Sequence, residues 1–129
     1  MKRYIILLSL GALLLVLFFT NPSEIVHTST VKELLKKELN KEMTSKIQEN
    51  GGGLETLGAG LGLMLGETMI SKLVDTYVER DNYYLFSLTK INYKNENRVI
   101  GLGIFGNVYI SDKVKENAGK LLDEAGKNN

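Results

Sequence analysis

Residue types that support enzyme chemistry are scarce in this sequence. It contains one histidine, His27, and no cysteine, so disulfides, thiolate metal ligands and cysteine nucleophiles are excluded. One row of polar side chains recurs at four-residue spacing on a predicted helix: Glu67, Ser71, Asp75 and Glu79. Lys72 interrupts this row, which is typical of a solvated helix face rather than a cation site. We therefore predict no catalytic, cofactor-binding or metal-ligating residue, and no enzymatic activity.

His27 is remote in sequence from the residues that would complete a catalytic triad, such as Ser87 and Asp75. A triad needs its members in direct contact, and nothing in their spacing predicts such a contact. The sequence instead indicates an exposed histidine just beyond a hydrophobic segment.

The segment from Gly101 to Gly106 formally matches the G-x-G-x-x-G nucleotide-binding pattern. That pattern binds a pyrophosphate only where a helix opens on its last glycines. Here the apolar alternation continues to Ile110, and no βαβ unit follows. We interpret Gly101 and Gly103 as small residues of a strand that admit a close neighbour.

Gly58, Gly62 and Gly66 form a repeated small-x-x-x-small pattern, which lets a second element approach a helix closely. We predict that they pack inside the domain, with their helix against a β-hairpin. A membrane or partner contact and a mobile hinge are the alternatives. Together with Gly101 and Gly103, these glycines are the predicted helix-packing or interface residues.

The pattern of apolar residues indicates the helices and strands that would position these residues. Val31, Leu35 and Leu39 begin a stripe at four-residue spacing, and Thr30 is a plausible helix cap. The fold class is therefore α+β. The predicted elements are an N-terminal membrane helix, helix 30–49, Gly-rich helix 54–79, antiparallel β-hairpin 83–110 and helix 112–125.

Aromatic and β-branched residues dominate the predicted hairpin. Its even-numbered positions are predicted to form one apolar face: Tyr84, Phe86, Leu88, Ile100, Leu102, Ile104 and Val108. The aromatic residues Tyr83, Tyr93, Phe105 and Tyr109 accompany them, and we interpret this group as core and cross-strand pairs. An aromatic binding face is the alternative.

Residues 4–19 carry no charge and follow the basic pair Lys2 and Arg3. The segment is nearly long enough to cross a bilayer, and no A-x-A-like cleavage site follows it. We predict a membrane anchor at 1–20 and a soluble α+β domain at 21–129 outside the cytoplasm, on the bacterial inner membrane. A cleaved signal and a buried core helix are the alternatives.

The charge balance is close to neutral, with 16 basic and 15 acidic residues. It provides no electrostatic surface for a polyanion, so we predict no nucleic-acid partner.

Three segments carry a resemblance to a known family: Thr20-Asn21-Pro22 after the hydrophobic stretch, residues 80–87, and residues 100–106. In order and length the chain resembles a bacterial membrane-anchored family catalogued as domain of unknown function 4359. The resemblance implies an N-terminal membrane anchor. It implies no activity, cofactor or catalytic residue.

These observations favour a membrane-tethered, non-enzymatic interaction or structural module of the bacterial envelope, with a protein partner. Two alternatives stay open. One is a small envelope enzyme or enzyme regulator, and the other is a membrane-active protein that uses the Gly-rich helix.

Overall fold

The computed structural model describes residues 1–50, 53–93 and 96–117. Its architecture is α+β, as predicted, with three long helices, an antiparallel sheet and a short helix over 112–117. The elements are α1 (Lys2–Phe19), α2 (Glu24–Asn50), α3 (Gly53–Tyr77), β1 (Val78–Asn82), β2 (Ser87–Tyr93), β3 (Glu96–Ile104) and β4 (Asn107–Ile110). The predicted helix 112–125 is thus present over 112–117, and its remaining residues lie outside the described part of the chain.

The N-terminal helix α1 contributes no buried residue to the domain. It has 18 residues, which span about 27 Å at a rise of about 1.5 Å per residue. The alternative of a buried core helix is therefore wrong. By length and composition alone, α1 and the Leu57–Tyr77 part of α3 are the two helices, among the described residues, that are apolar enough to cross a membrane.

Helix α2 begins at Glu24, six residues before the predicted start at Thr30. Pro22 precedes the helix, and the Ser23 carbonyl accepts the His27 amide at its first turn. Thr30 is therefore inside the helix, where its hydroxyl donates to the carbonyl of Val26. The capping box predicted at Thr30 is wrong, because the helix already begins at Glu24, six residues earlier.

Helices α2 and α3 form an antiparallel pair. Lys32 Nζ lies 2.6 Å from Asp75 Oδ1, and Lys36 Nζ lies 3.8 Å from Glu67 Oε2. The predicted apolar stripe of α2 faces inward over its first half. Val31 is buried, and Leu35 and Leu39 pack against the core. This core lies where the helix pair meets the sheet: Val31, Ile70, Val74, Val78, Ile100 and Ile110.

The sheet is a four-stranded antiparallel meander in the order β1-β2-β3-β4. The predicted hairpin 83–110 therefore has too few strands. The strand β1 was missed because its sequence, VERDN, is polar. Its neighbour, the segment Tyr83–Phe86, is a turn rather than the start of a strand. A second turn at Phe105 and Gly106 divides the predicted second strand into β3 and β4.

A register shift between Thr89 and Lys90 decides which residues face the helices. Gly101 and Gly103 pair with Thr89 and Ser87 on the side that carries the core. Ile100 is also buried, next to Gly101. A strict even-numbered apolar face is therefore wrong, because the bulge lets adjacent residues contribute to the same side. Leu102 belongs to the exposed side.

Candidate functional site

The segment Thr20–Asn21–Pro22 joins α1 to α2 and docks on one end of the sheet. The carbonyl of Thr20 accepts the amide of Gly106 at 2.5 Å. The Asn21 Nδ2 group donates to the carbonyl oxygens of Tyr84 at 2.9 Å and Phe86 at 3.3 Å, and to Asn82 Oδ1 at 2.8 Å. Both the β1–β2 turn and the β3–β4 turn are therefore held by residues directly after α1.

The Asn21 side chain suits this position because its amide nitrogen carries two N–H groups, which three neighbouring oxygens share. Asn82 Oδ1 also accepts the backbone N–H of Tyr84, so it organises the turn that Asn21 contacts. Pro22 is buried beside this contact. The Asn21 side chain thus makes long-range bonds that span more than 60 residues.

His27, one turn into α2, is fully buried. Its Nε2 lies 2.7 Å from Ser87 Oγ, and its Nδ1 lies 2.6 Å from Thr89 Oγ1. The prediction of an exposed histidine is therefore wrong. A usable signal was present: His27 is four residues before Val31, so it continues the apolar stripe by one helical turn.

The proton arrangement of this cluster follows from the chemistry of a neutral imidazole. The ring carries one N–H, so one hydroxyl accepts from the ring and the other donates to it. Burial lowers the pKa of His27, and the positive charge of Arg80 lowers it further. Both effects keep His27 neutral near pH 7, and the ring bonds α2 to the central strand β2.

The Ser87–His27 contact has the distance of a nucleophile and its general base. Two features separate it from a working catalytic pair. His27, Ser87 and Thr89 are all fully buried, so a substrate carbonyl has no path to Ser87 Oγ. A hydroxyl, Thr89, stands where a carboxylate would stabilise the imidazolium. The geometry supports a structural role.

Gly101 and Gly103 make room for this cluster. A Cβ atom at Gly103 would lie 2.5 Å from Ser87 Oγ and 2.6 Å from His27 Nε2. One at Gly101 would lie 2.7 Å from Ile110 Cδ1. The predicted close neighbour exists at both positions. At Gly103 it is a histidine of α2, not the Gly-rich helix.

The Gly-rich helix α3 uses its glycines against α2 rather than against the sheet. A Cβ at Gly66 would lie 2.7 Å from Leu39 Cδ2, and one at Gly62 would lie 2.9 Å from Met43 Cε. Gly58 faces open space. The expected contact between these glycines and the hairpin is therefore wrong, since the α2 stripe extends far enough to cover Gly62 and Gly66.

The predicted polar row is wrong at its end, because α3 stops at Tyr77 and Glu79 lies in β1. The part of the row on α3 contributes to the helix pairing. Glu67 and Asp75 are the two acidic residues that pair with lysines of α2. Within 1–50, 53–93 and 96–117, no group of three or more histidine and acidic side chains is placed to hold a metal ion.

A large apolar surface remains uncovered on α3. Its members are Leu and Met side chains that are 49–70% exposed: Leu57, Leu61, Met64, Leu65, Met69 and Leu73. Gly60, among them, also faces open space. Along the same side of the helix, nearer its C-terminal end, Thr68, Lys72 and Thr76 are polar. We call the six Leu and Met residues the α3 apolar face.

The aromatic residues of the predicted hairpin are mostly at the surface. Tyr83, Tyr84, Phe86, Phe105 and Tyr109 are exposed, so the interpretation of these five as core is wrong. Tyr83 stacks on Phe86 within the β1–β2 turn, with ring centroids 5.0 Å apart. The core cluster consists of aliphatic residues, and the fully buried His27 contributes an imidazole ring to the interior.

Comparisons with protein-family models, curated proteins and solved structures gave no match. The resemblance to domain of unknown function 4359 therefore stays an interpretation of the three motifs.

Proposed function

We propose that this protein is a membrane-tethered, non-enzymatic interaction module of the bacterial envelope. In this proposal α1 is a retained anchor, and the domain that follows it presents the α3 apolar face to a helix of another protein. The observation that carries the proposal is that face, with six large apolar side chains exposed on one helix. Contiguous apolar patches of this kind on soluble domains commonly mark interaction sites.

Retention of α1 is supported by the Asn21 contacts. Cleavage of a signal peptide near residues 20–25 would remove or free Asn21, which holds the β1–β2 turn through three hydrogen bonds. These contacts therefore favour an uncleaved chain. The basic residues Lys2 and Arg3 favour an N-terminus inside the cytoplasm.

A helical protein partner suits the α3 apolar face for two reasons. Met64 and Met69 have flexible side chains that adapt to a partner surface, and Gly58 and Gly60 leave open space in which a helix can approach closely. The α3 apolar face covers one side of its helix only. On the other side, Ile70 and Val74 are buried in the core, and Glu67 and Asp75 pair with lysines of α2. A helix packed on its own domain in this way favours a protein partner over a spanning role.

Photo-crosslinking of the full-length protein in its native membranes tests the interaction. Benzoylphenylalanine in place of Met64 should form one protein adduct, and Leu61→Lys in the same chain should abolish it. The matched control is benzoylphenylalanine in place of Thr76, which is exposed on the polar part of the same helix side. Adducts with lipid alone, with a second copy of the chain, or equally at both positions would contradict the proposal.

The tether is tested separately. The protein should resist carbonate extraction at its full length of 129 residues. Its domain should be accessible to protease from the outer side of the inner membrane. A soluble form that lacks the first 20–25 residues, roughly the length of a cleaved signal, would contradict the anchor.

A further inference from the structure

The two turns at one end of the sheet lie directly beside the end of the membrane helix. Thr20 follows α1 immediately, and its carbonyl accepts the Gly106 amide of the β3–β4 turn. Asn21 bonds to the carbonyls of Tyr84 and Phe86 in the β1–β2 turn. Wherever α1 leaves the bilayer, both turns are therefore within hydrogen-bonding distance of its first following residues.

Most side chains on these turns are aromatic, and none is charged. Tyr84 is 69% exposed and Phe105 is 49% exposed. The segments Tyr83–Phe86 and Phe105–Gly106 contain no charged residue. Tyrosine is enriched at membrane–water interfaces, where its ring lies at the level of the headgroups.

The backbone of both turns gives a second, independent observation. Tyr84 has φ 66° and Phe105 has φ 51°, so each places a bulky side chain in the left-handed region. Phe105 and Gly106 (φ 77°) together form a two-residue turn with both φ values positive. Asparagine or glycine adopts this conformation with less strain. Each turn therefore presents an aromatic ring at its most strained position, which folding alone does not favour.

We propose that these two turns form a second membrane contact, in which the rings of Tyr84 and Phe105 enter the headgroup region of the bilayer that α1 crosses. The proposal rests on the membrane tether proposed above. The surface that the two turns contact is the lipid bilayer, because the chain runs without a linker from the membrane helix into the residues that hold both turns. Such a contact sets the orientation of the sheet relative to the membrane. Thr20 and Asn21 form the rigid connection between the sheet and α1.

The absence of tryptophan from the chain makes a direct test available. Phe105→Trp and Tyr84→Trp each give a full-length protein with a single tryptophan, for reconstitution into phosphatidylcholine–phosphatidylglycerol vesicles. Phosphatidylcholine brominated near the headgroup end of its acyl chains should quench both emissions, which should also be blue-shifted. The matched control is Val99→Trp, on an exposed site near the opposite end of β3, whose emission should be unchanged by brominated lipid.

A third variant separates this proposal from the tether. Phe19→Trp, at the end of α1, reports whether the helix is inserted. Quenching of Phe19→Trp without quenching of Phe105→Trp and Tyr84→Trp would overturn the turn contact and leave the tether intact. Equal quenching of Val99→Trp would also overturn it, since the contact would then not be specific to the turns. An unquenched Phe19→Trp would overturn both proposals. Circular dichroism confirms that each variant is folded.

Discussion

His27 Nε2 lies 2.7 Å from Ser87 Oγ, in a contact that joins residues 60 positions apart in the chain. The same ring reaches Thr89 through Nδ1, so a single side chain fixes the start of α2 on the middle of the sheet. Both hydroxyls and the ring are fully buried. The stability of the domain therefore depends on the protonation state of one histidine.

The free energy of unfolding should decrease as the pH falls below about 6.5, the ordinary pKa of histidine. Because burial and Arg80 lower the pKa of His27 in the folded state, the unfolded chain binds more protons in this range. The stabilisation is thus complete above about pH 6.5 and is lost as the pH falls toward the folded pKa, by at most about 1.4 kcal/mol per pH unit. Urea unfolding of the full-length protein in detergent, followed by circular dichroism, measures this slope.

His27→Asn is the matched control for the pH dependence. This variant removes the only histidine, so the slope between pH 7 and pH 5 should become smaller. An identical slope in both proteins would show that carboxylates rather than His27 determine it.

Gly103→Ala should destabilise the domain by about 1–3 kcal/mol, because the added methyl overlaps Ser87 Oγ and His27 Nε2 in a packed site. Gly60→Ala is the control, since a Cβ at that position meets nothing within 4 Å. It should stabilise by about 0.5–1 kcal/mol through helix propensity. The midpoints of urea unfolding compare the two. Equal midpoints would contradict the close contact at Gly103.

The helix pattern of the sequence predicted much of this architecture, and its errors have local causes. The α2 stripe from Val31 to Leu39 was correctly placed in the core. The predicted start of α2 was wrong because Thr30 and Glu33 match a capping box, whereas the helix begins at Glu24, two residues after Pro22. With the helix start too late, His27 fell outside the predicted element, and its place on the stripe was missed.

The sheet was harder to predict because its strands do not follow simple alternation. The turn Tyr83–Phe86 has high strand propensity, whereas the real strand β1 is polar. What makes Tyr83–Phe86 a turn is the Asn82 and Asn21 side chains, and the second of these lies 61 residues away from the first. The bulge at Thr89 and Lys90 also changes which strand residues face the core side of the sheet. Neither the turn nor the bulge can be predicted from the spacing of apolar residues along the strands.

Gly62→Leu should overpack the contact between α3 and α2 and cost about 1–3 kcal/mol. A Cβ at Gly62 already approaches the end of the Met43 side chain, which can move for a methyl but not for a full leucine. Gly62→Ala should therefore cost little. Gly58→Leu is the matched control, because that glycine faces open space. A change in melting temperature that is the same for Gly62→Leu and Gly58→Leu would contradict a packing role for Gly62.

Asn21→Ala should destabilise the domain by about 1–3 kcal/mol, since it removes the donor that satisfies two turn carbonyls and Asn82. Thr20→Ala is the control on the adjacent residue. The Thr20 hydroxyl bonds to Val16 within α1, and the carbonyl that contacts the sheet is retained. Its effect on the unfolding of the domain should be close to zero. Hydrogen exchange of the β1–β2 turn should increase in Asn21→Ala and not in Thr20→Ala.

Phe105→Asn should stabilise the folded domain by up to about 1 kcal/mol, because asparagine adopts the left-handed conformation at φ 51° more readily than phenylalanine. The exposed ring makes this substitution inexpensive for the core. Tyr109→Asn is the comparison, since Tyr109 is an exposed aromatic residue in regular β-strand. There asparagine has lower strand propensity, and stability should decrease by a few tenths of a kcal/mol or about 1 kcal/mol at most. Urea unfolding in detergent compares both variants with the parent protein. If Phe105→Asn is less stable than the parent, the ring contributes to folding, and the strain at this turn no longer indicates a role at the membrane.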